Sequence, residues 1–261
     1  MMNIHLVDAF ADRPFTGNPA AVCLLSAPRE ESWMQQLAFE LGYSETAFVN
    51  LSREKVGLRW FTPTVEVALC GHATLASAHV LWGVGRAKGP ITFETKSGEL
   101  TCERRGDQIW MDFPKTRLNE EPPPVGLLSS LEVAKPVSIL RAGADYLVEL
   151  SDEAAVRDVS PDHRALAKLG IRGVMVTARS KAAEFDFVSR FFAPGSGIDE
   201  DPVTGSAHCA LTPFWSQRLQ RTSLKARQLS PRGGTLDLEL AGERVRIGGR
   251  AISVFSGVLA C

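Results

Sequence analysis

The sequence predicts an α+β protein of two similar lobes, in each of which strands surround one apolar helix. Three observations support this prediction. The order of predicted elements repeats between the two halves of the chain, each half has one helical segment that is apolar on nearly every side, and each of these segments opens with Gly, one polar residue and Ala. A helix without a polar face must be buried among other elements.

In the first half, alternating apolar residues and turn residues delimit most elements. The predicted elements are strands at 4–8, 20–25, 44–49 and 56–61, an amphipathic helix at 26–42, the apolar helix at 72–82 and a hairpin at 98–113. Only the 72–82 helix lacks a polar face, so we expect it at the centre of the first lobe.

The second half begins after the prolines at 122–124, which predict a stiff linker. Its predicted elements are strands within 137–150, a helix at 163–169, strands at 174–177 and 185–192, an apolar helix from Gly205 and a hairpin at 234–247. Pro213 lies inside this helix and has no N–H to donate, which predicts a kink or an end near Leu211.

The repeat can be followed through three pairs of similar segments. They are 59–63 with 190–194, 71–73 with 205–207, and 98–106 with 234–242. Each pair alone is weak evidence, but their shared order favours duplication over chance recurrence of glycine turns. A ligand site between such lobes would be lined by corresponding parts of each. We therefore predict one cleft with the two helix starts on opposite walls.

Both helix starts have the properties of an anion site. Gly71 and Gly205 each open an apolar helix, where backbone N–H groups lack partners and the helix dipole adds partial positive charge. Such ends bind carboxylates and other small anions. The sequence therefore predicts that Gly71 and Gly205 contribute to binding a small carboxylate.

The composition excludes several other classes of function. The 261 residues are 44% hydrophobic and 23% charged with a formal net charge of −1, which argues against nucleic-acid and membrane-surface partners. We see neither a transmembrane stretch nor a secretory signal, so a cytoplasmic location is expected. The five cysteines are widely spread without a CxxC pair, which argues against a disulfide framework or a zinc site.

Four motifs resemble the phenazine-biosynthesis PhzF-like family and occur in that family's order. They are Asp8-Ala9-Phe10 with residues 14–22, Ser44-Glu45-Thr46-Ala47-Phe48, Cys70-Gly71-His72-Ala73-Thr74 and residues 200–207. The resemblance implies the diaminopimelate epimerase-like fold, with two pseudo-symmetric lobes that are each a curved or barrel-like, mostly antiparallel sheet around a central helix. It implies lobes at 1–117 and 124–251, with the strand at 252–261 returning to the first lobe, and a homodimer.

The resemblance also implies an isomerase that needs no cofactor and in which Glu45 takes a proton from one carbon of the substrate and returns it to another. The residues themselves are compatible with this role. A carboxylate in a closed, mostly apolar cleft has a raised pKa, which suits proton transfer near neutral pH. The alternative is a solvated glutamate on an edge strand.

His72 is the second candidate catalytic residue. It could hydrogen-bond a substrate hydroxyl or amine, or relay a proton; alternatively, it could cap its own helix. No second His, Cys or carboxylate stands at metal-ligand spacing along that helix, so we expect no metal there.

Asp201 is the third candidate catalytic residue, and the remaining candidates bind the substrate. The resemblance assigns Asp201 to polar contacts with the substrate, and Ser206 with the Gly205 and Gly71 amides to its carboxylate. The alternative is a turn aspartate followed by a helix cap. Asn18 is a weaker binding candidate, because Asn before Pro is an ordinary turn pair.

Two other functions stay open. The first is a racemase that uses one cysteine from each lobe, for which Cys70 stands at a helix start that would lower its pKa. Its counterpart position is Thr204, and Cys209 lies one turn further along, so the pair is incomplete. The second is a non-catalytic binding protein. The identity of the substrate does not follow from the sequence.

Overall fold

The computed structural model describes residues 2–52 and 55–260. It divides the chain into two compact units, one formed by Met1–Phe113 with Ile247–Cys261 and the other by Pro114–Arg246. Each unit contains mostly strands and one buried central helix. The sheet-dominated α+β class predicted from the sequence is confirmed.

The first unit contains most of the elements that the first half of the sequence predicts. They are β1 (Met2–Ala9), β2 (Asn18–Leu25), α1 (Glu31–Leu41), β3 (Glu45–Asn50), β4 (Val56–Phe61), β5 (Glu66–Val67), α2 (Gly71–Gly83), β6 (Ile91–Thr95), β7 (Gly98–Arg105) and β8 (Gln108–Pro114). Helix α1 ends where Gly42 adopts the left-handed conformation and its N–H donates to Ala38 O.

The second unit follows the same order. Its elements are β9 (Leu118–Asn119), α3 (Leu127–Ser130), β10 (Ser138–Ala142), β11 (Asp145–Glu149), α4 (Glu153–Asp158), α5 (His163–Ala167), β12 (Gly173–Arg179), β13 (Phe187–Phe192), a 3₁₀ turn (Pro194–Ser196), α6 (Gly205–Leu219), β14 (Ser223–Gln228), β15 (Gly234–Ala241) and β16 (Arg244–Gly249). Strand β16 passes from the second unit into the first at Ile247, and β17 (Ala251–Leu259) belongs to the first unit.

Strand pairing supports the duplication. In the first unit, β1–β2 is antiparallel, β2–β3 parallel, β3–β4 antiparallel, β4–β6 parallel and β6–β7 antiparallel. In the second unit, β10–β11, β11–β12, β12–β13, β13–β14 and β14–β15 repeat that alternation in the same order. Strand β17 extends the first sheet by pairing antiparallel with the whole of β1.

Helix α2 is buried on nearly every side, as its composition requires. Leu75, Ala76 and Ala78 have no exposed surface. The hydroxyl of Ser77 donates to Ala73 O at 2.7 Å, so this buried polar group is satisfied within the helix.

Helix α6 does not end near Leu211 as predicted but continues to Leu219 with Pro213 inside it. Because Pro213 has no N–H, the carbonyl of Cys209 four residues earlier lacks its usual helical donor. The backbone N–H of Thr116 donates to that carbonyl at 2.9 Å instead. The helix therefore tolerates the proline because a neighbouring segment satisfies the freed carbonyl.

Candidate functional site

The loop between β1 and β2 places Asn18. The buried Asp8 carboxylate accepts the N–H of Phe15 at 2.7 Å, which fixes the loop from within. Gly17 has a φ of +69°, and a Cβ there would lie 2.2 Å from the carbonyl oxygen of Ala9. Only glycine fits this turn. It delivers Asn18, which has no exposed surface, to the first position of β2.

Glu45 is the first residue of β3, and in the parallel pairing of β2 with β3 it lies opposite Ala20, two residues from Asn18. Strand β3 is flanked by β2 and β4, and the Glu45 side chain is only 13% exposed. Glu45 is therefore not a solvated glutamate on an edge strand. Its carboxylate lies where β2 and β3 begin.

His72, the second residue of α2, lies close to Asn18, Cys70 and Glu45. Its Nδ1 is 3.2 Å from the amide nitrogen of Asn18 and 3.5 Å from Cys70 Sγ, and its Nε2 is 3.5 Å from Glu45 Oε2. The ring is buried and directed toward β2 and β3, and Cys70, the N-cap residue, makes no side-chain cap bond. The structure thus brings Glu45, His72 and Asn18 together in the first unit.

The hydrogen bonds of Asn18 determine which nitrogen of His72 carries the proton. The hydroxyl of Ser44 donates to Asn18 Oδ1 at 3.3 Å, which directs the amide nitrogen toward the ring. An amide nitrogen only donates, so Nδ1 of His72 must accept. The neutral ring therefore carries its proton on Nε2, the nitrogen that faces Glu45.

Burial lowers the pKa of His72 from 6.5 to about 3. Desolvation is the cause, because a buried imidazolium loses its hydration. His72 is therefore neutral at physiological pH, and its 3.5 Å approach to Glu45 joins a neutral ring to a carboxyl group rather than two charges.

Glu45, Cys70 and His72 together carry a carboxylate, a thiol and an imidazole. One ligand atom from each lies within 4.8 Å of the others, and no other group of three or more His, Cys, Asp or Glu side chains does so in residues 2–52 and 55–260. The sequence analysis missed this group because it considered spacing along α2 only, whereas Glu45 comes from β3.

In the second unit, Asp201 is held in a network before the start of α6. The hydroxyl of Thr204 donates to Asp201 Oδ2 at 2.6 Å. The side chain of Gln228 accepts the Thr204 N–H at 2.9 Å and donates to the Asp201 carbonyl at 2.7 Å. Thr204, not Asp201, is the N-cap residue of α6. The sequence analysis did not identify Gln228, which is distant along the chain and carries no motif.

Gly205 and Ser206 are the first two residues of α6, and Ser206 contacts an arginine that the sequence analysis did not predict. Both terminal nitrogens of Arg172 lie 3.3 Å from Ser206 Oγ. Arg172 also forms a salt bridge with the buried Asp145. Desolvation raises the pKa of Asp145, and Arg172 opposes that shift. Arg172 adds positive charge near the start of α6.

The two cysteines of the rival racemase mechanism have different surroundings. Cys209 donates its S–H to Gly205 O, and burial raises the pKa of its thiol to about 12. A racemase base must be a thiolate near neutral pH. Cys209 therefore does not supply the second thiolate that the rival requires.

Comparison with known proteins identifies the family. The family model described as phenazine biosynthesis-like protein matches residues 7–257. The chain belongs to the phenazine biosynthesis-like (PhzF) family. An uncharacterized isomerase of Pseudomonas aeruginosa is 51% identical over 260 residues, covering 98% of this chain and 97% of that protein.

Solved structures agree with this assignment. A PhzF-family protein of Enterococcus faecalis is 41% identical with a TM-score of 0.92, and the match covers 98% of each chain. A predicted epimerase of Pseudomonas aeruginosa is 21% identical with a TM-score of 0.80 over 100% of both chains and shares the fold. The sequence's prediction of a PhzF-like, diaminopimelate epimerase-like fold is confirmed.

One further property concerns membranes. Within the described residues, none of the helices of this PhzF-family chain combines the length and apolar character that crossing a membrane would require.

Proposed function

We propose that this PhzF-family chain is an isomerase that moves a proton between carbons of a small carboxylate without a cofactor, with Glu45 as general acid and base. One observation carries the proposal. The largely buried Glu45 carboxylate faces the Nε2–H of a neutral His72 whose orientation is set by Asn18. The naming of its relative as an isomerase supports the same reaction class.

In the proposed reaction, the ionised Glu45 removes a proton from one substrate carbon, and the resulting carboxylic acid returns it to another carbon on the same face. Such positioned proton transfer contributes ~10²–10⁴-fold to a rate. His72, with a pKa of about 3, is too weak a base to compete for that proton. We assign it the role of a neutral donor that uses Nε2–H to orient a substrate oxygen or the Glu45 carboxylate.

The binding residues are assigned by the same reasoning. We propose that the backbone N–H groups at each helix start, Gly71 for α2 and Gly205 with Ser206 for α6, are suited to binding a carboxylate. Arg172, which contacts Ser206, would strengthen this preference for an anion. Asp201 would accept a hydrogen bond from a substrate amine or hydroxyl.

The alternative enzyme is a racemase that uses Cys70 as one base. Its support is the position of Cys70 Sγ in the same cluster, 3.5 Å from His72 Nδ1. The protonated Cys209 argues against a second cysteine, so Glu45 would have to be its partner. This mechanism predicts inversion of a stereocentre instead of a proton shift along the substrate.

Hydrogen exchange in D₂O tests the proposal. The protein would be incubated with a panel of small carboxylates, including dihydro-hydroxyanthranilate and common amino acids, and loss of C–H signals followed by NMR. We expect exchange that Glu45→Gln abolishes and Cys70→Ser leaves in place. Glu94→Gln on strand β6 is the matched control, because it makes the same chemical change in the same unit.

Two results would contradict the proposal. Exchange lost in Cys70→Ser and accompanied by racemisation would establish the alternative enzyme. Stoichiometric binding of a panel member without any exchange, unchanged by Glu45→Gln, would identify a binding protein that has kept the fold.

A further inference from the structure

The residues around Glu45 offer a second chemistry besides proton transfer. Glu45, Cys70 and His72 supply an oxygen, a sulfur and a nitrogen ligand atom within 4.8 Å of one another. Thiolate and imidazole favour zinc and other borderline-soft transition metals, whereas Mg²⁺ and Ca²⁺ favour oxygen ligands. We propose that these three side chains bind Zn²⁺. The bound ion coordinates the Glu45 carboxylate and thereby inhibits the proposed proton-transfer reaction. This ion is a reversible inhibitor, not a resident cofactor.

The distances agree with tetrahedral coordination. Zinc bonds of about 2.3 Å to sulfur and about 2.0 Å to nitrogen place those two ligand atoms about 3.5 Å apart. Cys70 Sγ and His72 Nδ1 are 3.5 Å apart. A carboxylate oxygen of Glu45 lies within 4.8 Å of the other two ligand atoms, so a movement of this flexible side chain would complete three protein ligands. The fourth position would be held by water.

The cluster is prepared for a ligand. Cys70 and His72 are buried on α2, while Glu45 keeps 13% of its side chain exposed and gives the ion access. His72 Nδ1 carries the lone pair of the neutral ring, which the metal would take in place of the Asn18 amide hydrogen.

Charge also balances at this site. On binding, the Cys70 thiol releases one proton to solvent and becomes a thiolate, and Glu45 is bound as a carboxylate. Two anionic ligands and one neutral imidazole then neutralise Zn²⁺. No oxidation or reduction takes part in this step.

The inhibitory part of this inference rests on the proposed function of Glu45. A carboxylate coordinated to zinc cannot accept a proton from carbon, so a bound ion would stop the exchange reaction. Metal binding itself does not depend on the reaction and can be measured without any substrate.

The binding experiment uses untagged, chelator-treated full-length protein. Co²⁺ serves as a coloured substitute for zinc, and Zn²⁺ affinity is measured by competition with a chromophoric chelator. We expect a thiolate-to-cobalt charge-transfer band that Cys70→Ala removes. Loss of outer-shell partners already weakens metal affinity ~10–100-fold, so removing a ligand by Cys70→Ala or His72→Gln should weaken zinc binding at least ~10-fold.

Cys209→Ala is the matched control, because Cys209 is also a buried cysteine in the first turns of a central helix but lies outside the cluster. It should retain wild-type zinc affinity. Circular dichroism checks folding, and Cys70→Ser supplies the same comparison if the alanine variant unfolds. A cobalt spectrum without a thiolate band, or equal zinc affinity in wild type, Cys70→Ala and Cys70→Ser, would overturn the inference.

A functional arm separates the two proposals. Zn²⁺ should suppress the exchange reaction of the wild type, a chelator should restore it, and Mg²⁺ at the same concentration should have no effect. Zinc binding through Cys70 in a protein without exchange activity would support the metal site and reject the proposed function. Exchange that continues with zinc bound would reject the inhibition.

Discussion

The starts of α2 and α6 occupy equivalent places in two sheets that pair in the same order, yet they carry different side chains. At α2, an acid, a thiol and a neutral imidazole converge. At α6, Thr204 and Ser206 stand where Cys70 and His72 stand in the first unit, and they contact Asp201 and Arg172. The scaffold has been retained while the N-cap residue and the second helical residue have diverged.

This difference favours different roles for the two helix starts. In the proposed function, Glu45 exchanges the proton with the substrate beside the neutral His72 of α2. Residues at α6 hold one another through hydrogen bonds and present a serine and an arginine, which suits binding. The following predictions test these roles, from the largest expected effect to the smallest.

The largest effect should distinguish the two acids. Glu45→Gln should lower kcat for exchange ~10²–10⁴-fold, because it removes the general base. Asp201→Asn should mainly raise KM, because the amide oxygen accepts a weaker hydrogen bond from the substrate than the carboxylate does. It should leave kcat nearly unchanged, because Asp201 does not transfer the proton. Steady-state exchange kinetics by NMR measure both values. A larger fall in kcat for Asp201→Asn than for Glu45→Gln would reverse the assignment of roles.

The next prediction concerns stability, which truncation of a central-helix leucine should lower equally in the two units. Leu75 on α2 and Leu211 on α6 have no exposed surface. Truncating either to alanine leaves a cavity and should lower the free energy of unfolding by ~2–5 kcal/mol. Urea unfolding followed by circular dichroism measures this, with Val125→Ala, at a residue 99% exposed, as the control. Unequal costs would show that one of the two helices is not the centre of its core.

Both central helices should also make the protein sensitive to acid. Burial lowers the pKa of His72 to about 3 and that of His208 to about 4, from 6.5. Below pH 6.5 the unfolded chain binds more protons than the folded one, so stability is complete above that pH and falls toward the folded values. At a pH of about 5 each histidine should cost about 2 kcal/mol.

The acid prediction is checked by urea unfolding across this pH range. His208→Gln should reduce the slope of the free energy of unfolding against pH by the part that one buried histidine contributes. His79→Gln provides the comparison, because His79 is only half-buried and its pKa is lowered by burial and by the charge of Arg104. An unchanged slope in His208→Gln would show that His208 is not buried as a neutral ring.

The smallest effect concerns Asn18, which we propose as a positioning residue for His72. Asn18→Leu removes the donor to Nδ1 and should lower kcat ~5-fold, the equivalent of one hydrogen bond of about 1 kcal/mol. Nitrogen NMR of the ring should show the proton redistributing between Nδ1 and Nε2. Asn18→Asp, which accepts instead of donating, should move the proton to Nδ1. An unchanged ring spectrum in both variants would remove this role, and Asn50→Ala on β3 is the control.

Much of the fold could be predicted because its signals are local. Apolar runs, glycine turns and the repeated motifs indicate the two central helices, the hairpins and the residues that begin α2 and α6. The candidate residues of the first unit also came from motifs. The structure adds the register of β2 against β3, which brings Glu45 and Asn18 to the same end of the sheet.

Other features depend on residues far apart in sequence and could not be predicted. The pairing of Arg172 with Asp145, and its contact with Ser206, leaves no periodic or motif signal. That α6 would continue past Leu211 could not be predicted, because the effect of Pro213 depends on Thr116, which satisfies the freed carbonyl. The cluster of Glu45, Cys70 and His72 was missed because metal-ligand spacing was sought along a single helix.

The position of β17 has a consequence for biosynthesis. This strand pairs with the whole of β1, but the ribosome synthesises it after the entire Pro114–Arg246 unit. During translation, β1 can pair with β2, but its other edge lacks a partner until β17 has been synthesised. The Pro114–Arg246 unit has been synthesised by then. Because a domain folds as a unit, we expect the first unit to complete its fold only after β17 has been synthesised, although its first 113 residues are made before the second unit.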